Sequence, residues 1–183
     1  MTSFSSAPLR LLVLTGSTRE GRFAPVVTGW FLRVAAERDD LTLDPADLAD
    51  HPDGEGLAER LAAADAFVVV TPEYNHSFPA PLKQAIDRYR DEWQAKPVGF
   101  VSYGGFAGGL RAVEQLRQVF AELHATTVRD SVSFPLAWER FDADGVPHDP
   151  AVPEGAAKAM LDQLVWWGRA LRAGRAAVPY RAG

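Results

Sequence analysis

The segment Gly16-Ser17-Thr18-Arg19-Glu20-Gly21-Arg22-Phe23 packs two hydroxyls, two glycines and two guanidinium groups into a single short stretch. Glycines and short hydroxyl residues let a chain bend tightly and aim backbone N–H groups at an anion. A helix opening at this point would add the positive field of its N-terminus. The spacing from Gly16 to Gly21 matches the start of a P-loop. However, Arg22 stands where that motif has lysine, and Phe23 where it has a magnesium-binding Ser or Thr. A dinucleotide-binding G-x-G-x-x-G is absent. A terminal phosphate monoester, which needs donors and charge but no metal, remains, as does an ordinary Gly-rich turn. Two arginines and two hydroxyls exceed what packing alone requires of such a turn.

Two further segments are chemically unusual. Pro72-Glu73-Tyr74-Asn75-His76-Ser77-Phe78-Pro79-Ala80-Pro81 carries three prolines that stiffen a polar loop with a tyrosine in it. Such a loop suits a flat ring system, and Asn75 can both donate to and accept from a mixed polar edge. Ser102-Tyr103-Gly104-Gly105-Phe106-Ala107-Gly108-Gly109 removes side chains where a ligand would approach and leaves backbone N–H groups free to bond it. Glu73 could act as a base and His76 could orient a substrate, but a structural role for the first and a solvated or capping role for the second are the simpler readings.

The elements around these loops form a regular pattern. Residues 9–15 (LRLLVLT), 66–71 (AFVVVT) and 97–103 (PVGFVSY) are short apolar runs of the kind found in strands covered on both faces. Residues 41–48 alternate more weakly and suit an edge strand. Residues 125–134 (ATTVRDSVSF) suit the far edge. Between them run helical stripes: Phe23, Val26, Val27, Trp30 and Val34; Leu82, Ala85, Ile86, Tyr89 and Trp93; Leu110, Val113, Leu116, Phe120 and Leu123; and Met160, Leu161, Leu164 and Leu171. A weaker helix covers residues 56–64. This alternation predicts an α/β fold: a flavodoxin-like three-layer sandwich with a five-stranded parallel sheet of order 2-1-3-4-5 and helices on both faces. Ligands of such sheets bind beyond the carboxyl ends of the strands, where the three unusual loops fall. Residues 138–153, with Asp-Gly and three prolines, are expected to be an irregular excursion after the last strand.

Composition narrows the chemistry. The 183 residues, 47% apolar, suit one domain spanning 1–183. A net charge of −5 without a basic block gives no reason to expect nucleic acid or an anionic membrane surface. There is no cysteine, which excludes disulfides, thiolate metal sites and thiol nucleophiles, so redox chemistry must come from a cofactor. The four histidines show no metal-ligand spacing, and Asp142-Ala143-Asp144-Gly145 lacks the other positions of a calcium loop. The Ser-rich start, residues 1–8, lacks the pattern of a signal peptide, and no apolar run approaches a membrane span, so a cytoplasmic location is expected.

GSTREGRF, PEYNHSFPAPLKQAIDR and SYGGFAGG, in that order and each after an apolar strand, resemble the NADPH-dependent FMN reductase family of the flavodoxin-like superfamily. The resemblance runs from about residue 9 to about residue 134. It implies that Ser17, Thr18, Arg19, Gly21, Arg22 and Phe23 surround the phosphate of FMN. Pro72, Glu73, Tyr74 and Asn75 would border the isoalloxazine, and Tyr103, Gly104 and Gly105 would close its pyrimidine side. The chain departs from the family where Arg22 and Phe23-Ala24 replace a Ser and an Asn common at that point.

The implied activity is hydride transfer from NADPH or NADH through bound FMN to a small acceptor such as a flavin, quinone or azo dye, with no acid–base residue and no metal. Rival readings are a flavodoxin-like electron carrier and a cofactor-free binding module. A homodimer or homotetramer is expected, with Tyr89, Trp93, Trp138 and Phe141 as candidate interface aromatics. Trp166 and Trp167 are read as packing or interface residues rather than ligand contacts.

Overall fold

A computed structural model describes residues 7–181, so most of the Ser-rich start lies outside the described residues. The elements alternate as the apolar runs require: β1 (Leu9–Thr15), α1 (Ala24–Ala35), β2 (Leu41–Asp47), α2 (Leu57–Ala63), β3 (Ala66–Pro72), α3 (Ala80–Arg88), β4 (Pro97–Gly104), α4 (Leu110–Glu122), β5 (Thr126–Thr127), β6 (Val132–Pro135) and α5 (Ala151–Ala177). All strand pairings are parallel, in the order β2-β1-β3-β4-β5, with β6 also paired to β4.

The strand pleat explains the two cores. In β1, Leu9, Leu11 and Val13 point to one face, where α1 and α5 cover them, while Leu12 and Leu14 point to the other, under α2, α3 and α4. β3 is buried along its whole length, as a central parallel strand covered on both faces must be. Such a sandwich leaves its loops free at the carboxyl ends of the strands.

The far-edge strand expected over residues 125–134 comes in two pieces. Between them the guanidinium of Arg117 donates to the carbonyls of Val128 and Arg129, and the side chain of Gln163 accepts from the amide of Asp130. Those backbone groups are satisfied off the ladder, so the strand breaks without leaving them unpaired.

Three expectations need correction. The stripe from Leu82 to Trp93 is not one helix. α3 ends at Arg88, Tyr89 is extended, and Trp93 sits in a 3-10 turn with its indole N–H donating back to the Ile86 carbonyl at 3.3 Å. Tyr89, Trp93 and Phe141 are therefore not surface aromatics. Trp93 packs edge-on to Phe67 and Phe120, and Phe141 packs on Phe23 and Phe134, all within the cores. Of the four candidate interface aromatics, Trp138 alone is exposed. Finally, α5 begins at Ala151, so the irregular excursion is shorter than expected. Pro153 lies in the helix's first turn, where a missing N–H costs nothing.

Within the excursion, Asp142 accepts from the amides of Asp144 and Val146, making the Asp-Gly segment a local turn. Among the described residues, no cluster of His, Asp or Glu is arranged to hold a metal ion, and no helix is long and apolar enough to cross a membrane.

Candidate cofactor site

The three unusual loops converge at the carboxyl ends of β1, β3 and β4, which are neighbours in the sheet. The turn after β1 starts where the Gly16 amide donates to Val70. Beyond it, the amides of residues 17–21 and of Phe23 donate to no group among the described residues. Gly21 has φ of +65°, which turns the chain so that the Arg22 amide meets the Arg19 carbonyl. Ser17 is buried, and α1 begins directly after Phe23. This is a row of unbonded donors at a helix N-terminus, the arrangement that binds anions through backbone groups.

The two arginines play different parts. Arg19 is exposed, with its guanidinium 5.9 Å from the centre of the Tyr74 ring. Arg22 is mostly buried and paired with Asp47, at the end of β2, at 2.7 Å. Its Nε is buried and has no acceptor among the described residues. Asp47 is a residue the sequence reading did not flag. It orients Arg22 from the neighbouring strand, and nothing local in the sequence signals a contact across that distance.

The loop after β3 is a rigid clip. Tyr74 and Ser77 exchange both backbone hydrogen bonds, and Asn75 and His76 between them have φ of +51° and +65°. That is the mirror-image two-residue turn, for which asparagine is a preferred first residue. Glu73 lies under the loop. Its amide donates to the Tyr103 carbonyl, and its buried carboxylate is paired with the Arg111 guanidinium and accepts the Arg111 amide. Gln115, one turn further along α4, donates to the His76 carbonyl and accepts from the Ser77 hydroxyl. Glu73 thus positions the loop. Arg111 and Gln115 were missed from sequence, although their i, i+4 spacing at the start of α4 is the signal that would have placed them on one face.

In the loop after β4, the glycines divide into two pairs. A Cβ on Gly108 would fall 2.3 Å from the Ser133 hydroxyl, and one on Gly109 would fall 2.5 Å from the Ser102 Cβ; both have positive φ. Gly104 and Gly105 do not have positive φ, and around Gly105 there is open space. The second pair therefore folds the loop, while Gly104 and Gly105 leave its outer edge bare.

Tyr103 closes the floor. Tyr103 is 5% exposed, yet its hydroxyl has no hydrogen-bond partner among the described residues. The nearby Ser17 hydroxyl is bonded to the Tyr74 hydroxyl at 2.9 Å. Burial, with Tyr74 close by, holds the Tyr103 pKa well above its ordinary value, so the phenol stays a neutral donor. A buried phenol and a buried guanidinium N–H that both lack partners are uncommon in a finished interior. Together with the row of free amides, they are the donor set that a phosphate ester joined to a flat, acceptor-rich ring would complete. FMN fits this arrangement.

The sequence profile of NADPH-dependent FMN reductases matches residues 9–139. An NAD(P)H-dependent FMN reductase of Schizosaccharomyces pombe is 32% identical over 148 residues, covering 69% of this chain and 74% of the relative. The probable NADPH:quinone oxidoreductase 2 of Oryza sativa subsp. japonica is 31% identical over 177 residues, covering 83% and 85%. A flavodoxin of Pseudomonas aeruginosa superposes with a TM-score of 0.59 at 21% identity, covering 87% of this chain and 98% of that one. At that identity the likeness shows the flavodoxin-like fold alone. By the extent of the profile match and the identity to relatives it largely covers, the chain belongs to the NADPH-dependent FMN reductase family.

Proposed function

We propose that the three loops hold FMN and that the protein passes hydride equivalents from NADPH or NADH to a small planar acceptor such as a quinone or flavin. The observation that carries this reading is the pair of buried donors, Arg22 Nε and Tyr103 Oη, that find no partner among the described residues, beside the amides of residues 17–21 that likewise bond to none of them. When bound, FMN supplies the redox chemistry, which no side chain of this cysteine-free protein provides.

The protein's own groups bind and orient. The amides after β1, the hydroxyls of Ser17 and Thr18, and Arg19 and Arg22 take the phosphate, with Gly21 and Phe23 shaping the turn. Pro72, Glu73, Tyr74 and Asn75 border one side of the ring. Tyr103, Gly104 and Gly105 border the other, and their donors stabilise negative charge on the ring without a titrating residue. The exposed Asn75 and Gly105 leave an approach open for donor and acceptor in turn. A reaction consuming NAD(P)H also suits the cytoplasmic location expected from sequence.

The test is titration of the purified protein with FMN, FAD and riboflavin, followed by aerobic and anaerobic NAD(P)H oxidation. Tight FMN binding with sustained turnover supports the reading. FMN binding without turnover would make the protein an electron carrier, and no flavin binding would overturn the proposal.

A further inference from the structure

We infer that a hollow beside the phosphate loop takes an adenosine monophosphate group. The hollow, about 250 Å³ in volume, lies between α3 and the segment that follows β2, and Thr18 borders it at the cradle end. Of the residues assigned above to FMN, only Thr18 lines it. It is therefore a second place, next to the flavin slot rather than part of it.

Its outer wall is held in place by the protein's own bonds. The Arg88 guanidinium donates to the Asp53 carbonyl, and the Tyr89 hydroxyl to the Gly54 carbonyl at 2.7 Å, so the wall is pinned to the end of α3. One carboxylate oxygen of Asp47 accepts from the Ala49 amide and the other from Arg22, so the same wall is tied to the cradle. His51 Nδ1 meets the Glu55 carbonyl, which can only accept, so Nδ1 carries the ring proton. Its Nε2 is left as an acceptor 3.4 Å from the Arg60 guanidinium. A wall fixed in this way costs a ligand little ordering on binding.

What the hollow leaves free selects the ligand. Pro81, Gln84, Ala85 and Arg88 share one face of α3, at i, i+3, i+4 and i+7. Pro52 and Pro81 give stiff apolar walls suited to a flat ring. The polar atoms of His51 and Tyr89 are spent on their own chain. Gln84 is exposed, and its amide makes no hydrogen bond among the described residues, so it offers a donor and an acceptor side by side. Such an amide pairs bidentately with adenine, whose amino group lies beside a ring nitrogen that accepts. At the other end, a group leaving the hollow past Thr18 meets Arg19, which is exposed and has no acidic partner among the described residues. A purine at one end and a phosphate at the other make adenosine monophosphate. NAD(P)H and FAD both carry that group, and naming them as its two sources rests on the function proposed above.

AMP itself is the probe, titrated calorimetrically into the FMN-loaded protein so that the cradle is already filled. It should bind, and nicotinamide mononucleotide, which has no adenine, should not. Gln84→Leu removes the donor and the acceptor from an exposed position and should weaken AMP by about tenfold, with FMN affinity unchanged. Lys83→Leu, on the neighbouring residue outside the hollow, should leave AMP binding as it was. If the group enters as part of NAD(P)H, AMP competes with it in steady state and Gln84→Leu raises its KM. If it enters as part of FAD, Gln84→Leu weakens FAD but not FMN in titrations of the flavin-free protein, and AMP leaves the KM for NAD(P)H unchanged. No binding of AMP at millimolar concentration, or a loss of AMP affinity that is equal in Gln84→Leu and Lys83→Leu, would overturn the inference. AMP binding is read without turnover, so its failure and a failure of the proposed activity are separate results.

Discussion

The hydroxyls of Ser17 and Tyr74 meet at 2.9 Å, tying the turn after β1 to the clip after β3. Beside that bond lies Tyr103, whose hydroxyl is buried near Ser17 and completes no hydrogen bond among the described residues. The site thus carries an unmet donor in its floor, and a ligand acceptor is the natural group to meet it.

Tyr103→Phe should therefore have opposite effects on the two forms of the protein. An unsatisfied buried polar group costs about 1–3 kcal/mol, so its removal should raise the melting temperature without flavin. At roughly 2–4 °C per kcal/mol for a chain of this size, the rise is measurable. Added FMN should then stabilise the variant less than the wild type. A variant that is less stable without flavin would show that the hydroxyl is already satisfied inside the protein.

Arg22→Ala should weaken FMN binding by about 1.5–3 kcal/mol, the worth of a hydrogen bond to a charged group. Riboflavin, which has no phosphate, should bind equally to variant and wild type in a fluorescence titration. Equal losses for both ligands would mean that Arg22 serves only to hold Asp47 at the end of β2.

The glycines after β4 should separate folding from binding. Gly109→Ala places a methyl group against Ser102 on a backbone with φ of +89°, so it should destabilise the fold by a few kcal/mol. Gly105→Ala meets open space and should leave the fold nearly unchanged while weakening flavin binding. Chemical denaturation and flavin titration of both variants would check this. A Gly105→Ala protein with full FMN affinity would remove Gly105 from the ring's border.

Much of this was legible in sequence because it is local. Continuous apolar runs placed β1, β3 and β4, and Gly, Pro and hydroxyl clusters marked the three loops between them. What was not legible depends on contacts across the fold. The stripe through Tyr89 and Trp93 has helical spacing, yet Trp93 is worth more filling the space between Phe67 and Phe120 than extending α3. Arg22 looked like a free phosphate ligand, and its pairing with Asp47 needs the β1–β2 pairing to be seen. The four glycines after β4 looked alike in sequence, and only the loop's path shows that Gly108 and Gly109 are the crowded ones.

At the opposite end of the sheet, Lys96 should give stability an unusual pH dependence. Its ammonium is buried, donates to the Leu61 and Ala62 carbonyls at the end of α2, and lies 5.4 Å from the Phe67 ring centre. Burial first, and then Arg175, pull its pKa down from 10.5 to about 8. Between those values the unfolded chain holds a proton that the folded chain has released, so the contribution of Lys96 rises with pH across the window. Tyr103 works the other way above pH 10, because its buried phenol keeps a proton that an exposed one loses. Urea denaturation from pH 7 to 10 should show a positive contribution to the slope that Lys96→Met abolishes. Identical slopes in the two proteins would show that the ammonium titrates normally.

The central claim is that these loops hold FMN where a nicotinamide and then an acceptor can reach it. The most direct measurement is anaerobic mixing of the FMN-loaded protein first with NADPH or NADH and then with a quinone, watching the flavin absorbance. The account predicts bleaching on the first addition, full recovery on the second, and parallel double-reciprocal lines in steady state, because donor and acceptor share one open face. A flavin that stays oxidised in the presence of either nicotinamide would contradict it.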